Sequence, residues 1–349
     1  MNALVLTNYN TLEYTQVEKP EIKHDEVLIR IEAVGICGSD VHGMDGSTGR
    51  RIPPLIMGHE AAGVIEEAGA EVDDYKPGER VTFDSTIYCG HCRYCRKGKI
   101  NFCENRRVLG VACDEYTQQG AFADYVNVPA RILYRLPKEV SFQEGSMVEP
   151  LSVAAHAVEI TPTSFGDTAV VIGAGVIGLL TLQVLRSSGC SRVYVADIDD
   201  SRLATAMELG ATETFNTKTV QLNDEIVRRT GGLGADCAFD AVGLQETTNL
   251  SIYSVHKGGT VTVIGNLTPK VELPLQYIVS RQIRVQGSNA SAGEYPACIE
   301  MIQNRQIKLE PLMSKVAPLS EGAKWFDELY RGGSGLFKVI LEPQNRSNS

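Results

Sequence analysis

Thr168-Ala-Val-Val-Ile172-Gly173-Ala-Gly175-Val176-Ile177-Gly178-Leu-Leu-Thr-Leu-Gln-Val-Leu185 is a run of eighteen residues without a charge, long enough to be read as a membrane span. Three glycines interrupt its middle. Its first five residues are mostly β-branched, which suits a buried strand. Beyond the glycines, Leu179, Leu182 and Leu185 recur at helical spacing. The stretch therefore reads as strand, glycine turn and helix (176–188), and no membrane segment is expected.

After Pro162–Asp167 the same alternation continues. Strands are expected at Arg192-Val-Tyr-Val-Ala196, Cys237-Ala-Phe239, Thr260-Val-Thr-Val-Ile264 and Ile283-Arg-Val-Gln286, with a helix through Leu203 and Met207. Strands alternating with helices imply an α/β fold with a doubly wound parallel sheet. Before it, brief apolar runs (Val27–Ile31, Ala62–Ile65, Arg80–Phe83) separated by turn signals such as Lys76-Pro-Gly78 imply a small barrel or sandwich. A helix (Tyr295–Asn304) and a strand (Lys338–Leu341) follow the sheet, and this segment is expected to rejoin the first domain. The polar tail Gln344–Ser349 is expected to fray.

The chain has 349 residues, hence roughly two domains at about 150 residues each. Its 33 basic and 43 acidic residues leave a net charge of −10, which argues against nucleic acid as a partner. The N-terminus lacks a basic, apolar leader, so no signal peptide is expected. Nine cysteines, four of them within fifteen residues, do not fit a secreted disulfide framework. Reduced thiols in the cytoplasm are expected instead, and clustered ones point to metal.

Gly173, Gly175 and Gly178 form a G-x-G-x-x-G between strand and helix. The spacing allows a tight turn, close approach of a pyrophosphate and close helix–strand packing, with Val176 and Ile177 opening the helix toward the phosphates. Asp197, nineteen residues beyond Gly178, ends the next strand, where a carboxylate accepts both ribose hydroxyls of NAD and repels a 2′-phosphate. Arg202 is a candidate for the adenosine side. The plainer alternatives are that the glycines merely turn a corner, that Asp197 starts a helix, and that Arg202 is solvated.

Cys89, Cys92, Cys95 and Cys103 supply four soft ligands for a closed tetrahedral zinc, the alternative being a redox pair. A second set is scattered: Gly35-Ile-Cys37-Gly-Ser39-Asp40-Val-His42 and Gly58-His59-Glu60. Spacing alone does not unite these two segments. Adjacent residues in a regular strand also point to opposite faces, so His59 and Glu60 share a site only if the chain bends.

Together with Glu149-Pro-Leu-Ser-Val-Ala-Ala-His156, these motifs resemble the zinc-dependent medium-chain dehydrogenase/reductase family, and within it the sorbitol (polyol) dehydrogenase-like branch. The resemblance covers essentially the whole chain. It implies a GroES-like β-barrel catalytic domain (1–155), a Rossmann NAD-binding domain (156–289) and a return to the catalytic domain (290–349). It further implies two zincs per chain. Cys37, His59 and Glu60 would be catalytic ligands, with Glu149 at the fourth position or holding the water there. Val242 and Ile264 would line the nicotinamide site.

The implied activity is reversible, zinc- and NAD-dependent oxidation of a secondary alcohol to a ketone. Zinc with an open position acidifies the hydroxyl. Ser39 would take its proton and His42 pass it on, though Ser39 also suits a turn and His42 the surface. Polyol dehydrogenases carry an Arg-Tyr pair where this chain reads Gly287-Ser-Asn289-Ala-Ser-Ala-Gly-Glu-Tyr295. The arginine is missing, and Asn289 is the substitute candidate. Arg50 and Arg51 are candidates for a substrate phosphate, otherwise for solvated charge. The expected substrate is thus a small alcohol, polyol, sugar or sugar phosphate. A threonine dehydrogenase-like enzyme and a catalytically retired NAD-binding regulator are the alternatives. A homodimer or homotetramer is expected by analogy.

Overall fold

Every residue of the strand Thr168–Ile172 is buried, as expected for a strand covered on both faces. In the computed structural model, which describes residues 1–332 and 335–343, it pairs in parallel with Arg192–Asp197 on one side and Ala235–Asp240 on the other. Glu213–Asn216 extends the first side, and Val255–Val263 and Arg284–Gly287 the second, all in parallel. The six strands thus run third, second, first, fourth, fifth, sixth. This order reverses direction between the first and fourth strands, which opens a crevice at their C-terminal ends. The uncharged run 168–185 is split by its glycines into that strand and the helix Val176–Ser187. No helix among the described residues is long and apolar enough to cross a membrane.

The N-terminal part is antiparallel. Glu26–Gly35 is the centre of a seven-stranded sheet, paired with Glu60–Ala68, Tyr125–Pro129 and Lys338–Glu342. Its core gathers Val27, Ile29, Ile31, Ile65, Val81, Phe83, Phe122 and Phe326. Lys338–Glu342 comes from the far end of the chain, so the tail does complete the first sheet.

Contacts divide the chain into two compact units: Met1–Glu149 with Tyr295–Gln303 and Leu309–Ser349, and Pro150–Glu294 with Asn304–Lys308. The divisions therefore fall six residues before and five residues after the expected 155/156 and 289/290. Most of the helix Val148–Glu159 goes with the second unit. The expected strand Thr260–Ile264 begins earlier, at Val255, and stops at Val263, the Ile264 N–H making the last rung of the ladder to the Asp240 carbonyl at 2.8 Å. The tail Gln344–Ser349 lies outside the described residues.

Candidate functional site

Cys37 lies two residues beyond the strand Glu26–Gly35 and immediately precedes the short helix Gly38–Gly43. His59 and Glu60 arrive on the neighbouring strand, after Gly58. That glycine has φ of +92°, and a Cβ there would stand 2.9 Å from the Phe122 ring, so the bend needs glycine. The result brings ligand atoms of Cys37, His59 and Glu60 within 4.8 Å of one another. Gly35 makes room in the same way: a Cβ there would sit 2.5 Å from Glu60 Oε2.

The surrounding charges suit a cation. Burial pushes the His59 imidazole down, but the Asp40 carboxylate and the Cys37 thiol override it and raise it well above the usual histidine range. His59 Nδ1 lies 3.5 Å from Asp40 Oδ2, at the outer limit of a hydrogen bond. A carboxylate beside the second nitrogen nevertheless orients an imidazole for ligation. Asp40 is fully buried, which raises its pKa, yet His59 and Arg51 bring it down to about 2.

Glu60 has its own cation. Lys338 Nζ donates to Glu60 Oε2 at 2.5 Å and to the Ile36 carbonyl at 3.0 Å. Burial lowers the lysine pKa, and Glu60 and Cys37 more than restore it. Glu149, in the first turn of Val148–Glu159, accepts from Ser85 Oγ at 2.9 Å. Burial raises its pKa, and the nearby Glu60 charge adds to that against the opposing pull of His59. Glu149 stands outside the three-residue group that converges within 4.8 Å.

Ser39 is exposed and its hydroxyl donates to Cys37 Sγ at 3.3 Å. His42 is exposed, one helical turn on. Arg51 requires a correction. Its guanidinium is buried and donates to Asp40 Oδ1 through Nε (3.1 Å) and Nη2 (2.8 Å), with Ser39 Oγ at 3.5 Å. A guanidinium engaged in this way orients the site and is not offered to a substrate phosphate. Arg50 is exposed, with Nη2 3.5 Å from the Tyr116 hydroxyl.

The sulfurs of Cys89, Cys92, Cys95 and Cys103 also converge within 4.8 Å. Cys89–Cys95 is 4.0 Å and Cys92–Cys95 3.5 Å. These bracket the ~3.8 Å edge of a tetrahedron with zinc–sulfur bonds of about 2.3 Å. Backbone N–H groups of Cys89, Cys92 and Cys95 donate to Cys103, Cys89 and Cys92 sulfurs at 3.2–3.5 Å. Donors from His91 and Cys92 pull Cys89 down to about 6. Elsewhere, burial pushes Cys190 up to about 11, the behaviour of a structural thiol.

In the second unit, Gly173 has φ of +97° and a Cβ on Gly178 would fall 1.7 Å from the Gly173 carbonyl oxygen. Gly175 opens the helix Val176–Ser187, and the nearest group to a Cβ there is Arg202 Nη1 at 3.5 Å. This leaves a cradle of backbone donors at a helix N-terminus, which fits a pyrophosphate. Asp197 does not start the next helix. Asp199 does, accepting from Ser201 N–H (2.8 Å) and Arg202 N–H (3.4 Å). Asp197 instead accepts from the N–H groups of Ala174 (2.6 Å), Ile198 (2.7 Å) and Asp199 (3.0 Å), so its carboxylate is fixed at the edge of the glycine turn. Val242 and Ile264 are half-buried beyond the ends of Ala235–Asp240 and Val255–Val263. Asn289 is exposed.

Sequence reading passed over Asp40, Ser85 and Lys338. Lys338 carries a signal in retrospect, being a lysine that opens an apolar strand, where it is rarely buried without a partner.

Residues 23–138 match the model of the alcohol dehydrogenase GroES-like domain, and residues 176–304 that of the zinc-binding dehydrogenases. D-arabitol-phosphate dehydrogenase of Enterococcus avium is 32% identical over 339 residues, covering 96% of this chain and 94% of that protein. Sorbitol dehydrogenase of Bacillus subtilis (strain 168) is 30% identical over 348 residues, covering 98% and 97%. Among solved structures, galactitol-1-phosphate dehydrogenase from Escherichia coli has a TM-score of 0.91 at 27% identity, covering 98% of this chain and 100% of that one.

Proposed function

From a chain that belongs to the zinc-dependent alcohol dehydrogenases, with a GroES-like and a Rossmann domain, we propose an enzyme that interconverts a secondary hydroxyl of a polyol, sugar or sugar phosphate with the ketone, preferring NAD over NADP. The carrying observation is the convergence of Cys37, His59 and Glu60 within 4.8 Å. The four-cysteine loop is the structural zinc site. When bound, zinc supplies a Lewis acid for the substrate hydroxyl and the nicotinamide a hydride acceptor.

Cys37, His59 and Glu60 hold the catalytic ion, and Glu149 serves the fourth position. Ser39, 3.3 Å from Cys37 Sγ, takes the proton of the substrate hydroxyl, and His42 passes it toward solvent. Arg51 and Asp40 keep His59 and Ser39 in place. Gly173, Gly175, Val176, Ile177 and Gly178 bind the pyrophosphate, Asp197 the ribose, Arg202 the adenosine side, and Val242 and Ile264 the nicotinamide. Asn289 is the partner for a substrate hydroxyl. Arg50, exposed beside Arg51, is the remaining candidate for an anionic substituent. The nine free thiols support a reducing, cytoplasmic setting.

A terminal sheet strand next to an exposed apolar helix in the chain supports a homo-oligomer. Arg284–Gly287 is the last strand of the parallel sheet. The helix Leu275–Arg281 before it has no buried residue, with Leu275 69% and Val279 70% exposed. An edge strand preceded by a helix with exposed apolar side chains suits a partner, and a second copy of the chain is proposed.

NADH formation across polyols, sugars, sugar phosphates and threonine, with zinc measured on the same sample, tests the activity. Turnover confined to phosphorylated substrates supports the Arg50 role, and turnover of neutral polyols removes it. Turnover of threonine alone would replace the polyol reading. Zinc-loaded protein with no turnover on any of these would favour a regulatory NAD-binding protein.

A further inference from the structure

Asp240 ends the strand Ala235–Asp240 with a side chain that is fully buried. Its acceptor capacity is met by neutral donors. Oδ1 accepts from the Val242 and Gly243 N–H groups at 3.0 and 2.9 Å. Oδ2 accepts from the Thr247 and Thr248 hydroxyls at 3.2 and 2.7 Å. The same residue's backbone carbonyl accepts from Ile264 and Gly265 N–H at 2.8 and 3.0 Å. One residue therefore ties together the two loops that leave the fourth and fifth strands of the sheet.

Those loops cross with no space to spare. Gly243 has φ of +77°, and a Cβ there would lie 2.1 Å from the Gly265 carbonyl oxygen. A Cβ on Gly265 would lie 2.3 Å from the Val242 carbonyl carbon. Val242 in turn reaches the phosphate turn, its Cγ2 lying 2.5 Å from where a Gly173 Cβ would stand. In a sheet of this strand order a dinucleotide crosses the crevice between the first and fourth strands. Asp197 marks the ribose on one side, and Val242 and Ile264 lie on the other.

We propose that Asp240 is a positioning residue for the nicotinamide half of the cofactor. It acts through Val242 and Ile264, setting the surface on which the ring seats, and the inference rests on the NAD reading above. A group that receives two N–H and two O–H donors must be an acceptor on both atoms. Asparagine keeps one such atom, and its amide can donate to hydroxyls that reverse. Alanine leaves the N–H groups of Val242 and Gly243 without an acceptor, a loss confined to this crossing.

The test uses the full-length zinc-loaded enzyme and two probes: ADP-ribose, which lacks the nicotinamide, by calorimetry, and NADH by the emission of its bound ring. Asp240→Ala is expected to keep ADP-ribose affinity within about threefold, while NADH emission moves toward that of free NADH and kcat falls at least tenfold. Asp240→Asn is expected to restore most of both. Equal losses for ADP-ribose and NADH would make the role merely structural, and wild-type behaviour of the alanine variant would remove it. If Asp240→Ala does not fold, Thr248→Val decides, because it removes only the 2.7 Å bond. A change in NADH emission with unchanged ADP-ribose affinity upholds the proposal, and no change or equal losses overturn it. Wild-type protein that binds neither probe would defeat the NAD reading itself, a result distinct from either of these.

Discussion

Two side chains decide more of the chemistry than their positions in the sequence advertise. Asp197 is pinned by three backbone N–H groups, which holds its carboxylate in place for the proposed contact with a cofactor's ribose. Asp197→Ala should lower the NAD-to-NADP ratio of kcat/KM at least tenfold, about 1.4 kcal/mol or more in discrimination; an unchanged ratio measured with both cofactors would end this assignment. Lys338 shares a fully enclosed bond with Glu60. Removing one partner of a buried pair leaves an uncompensated charge and costs about 3–5 kcal/mol. Lys338→Met should therefore lower the urea stability of the metal-free protein by about that amount, and Lys338→Met with Glu60→Gln should recover part of it. If the single variant unfolds like wild type, the pair contributes nothing to stability. Asp197 was legible because the motif places it at the end of a strand. Lys338 was not, since 278 residues separate it from its partner.

Among the elements, the glycine turn and the four-cysteine loop were the most legible, because each closes over a few consecutive residues and its spacing is its geometry. The helix Val148–Glu159 shows the opposite case. Its His156 Nδ1 meets Glu294 Oε1 at 2.6 Å, and Glu294 also accepts from Ala292 N–H at 2.6 Å, so a helix is latched to a loop far along the chain. Burial pushes the Glu294 carboxyl up, but the bonds from His156 and Ala292 hold it below its ordinary value of 4.5. With the folded value depressed, the stabilisation is fully present above the unfolded value and is lost as pH falls through the folded one. Melting temperatures from pH 3 to 6 should accordingly fall less steeply on the acid side for Glu294→Gln than for wild type. Two parallel curves would show that Glu294 carries no part of the acid response.

For the whole molecule, the outer edge of the parallel sheet gives a direct prediction. Val279→Glu places a charge on the exposed apolar helix beside Arg284–Gly287, and light scattering should find a smaller species than wild type. A mass unchanged by the substitution, or a wild-type monomer, would place any assembly elsewhere. The order of the elements, the split of the run 168–185, the glycine turn with Asp197 and the four-cysteine loop were all determined by the sequence alone. Each rests on periodicity or on residues close together in the chain. The cluster of Cys37, His59 and Glu60, proposed as catalytic, was decided by tertiary structure. Cys37 and His59 meet only because neighbouring antiparallel strands carry them together, Glu60 joins them only because Gly58 bends the chain, and Lys338 arrives on a strand from the opposite end. Arg51 shows the same division most clearly. Its charge invited a substrate phosphate, and burial against Asp40 made it part of the frame. Local spacing encodes what neighbours in the chain can build, while burial and long-range pairing determine which charges face a ligand and which hold the site together.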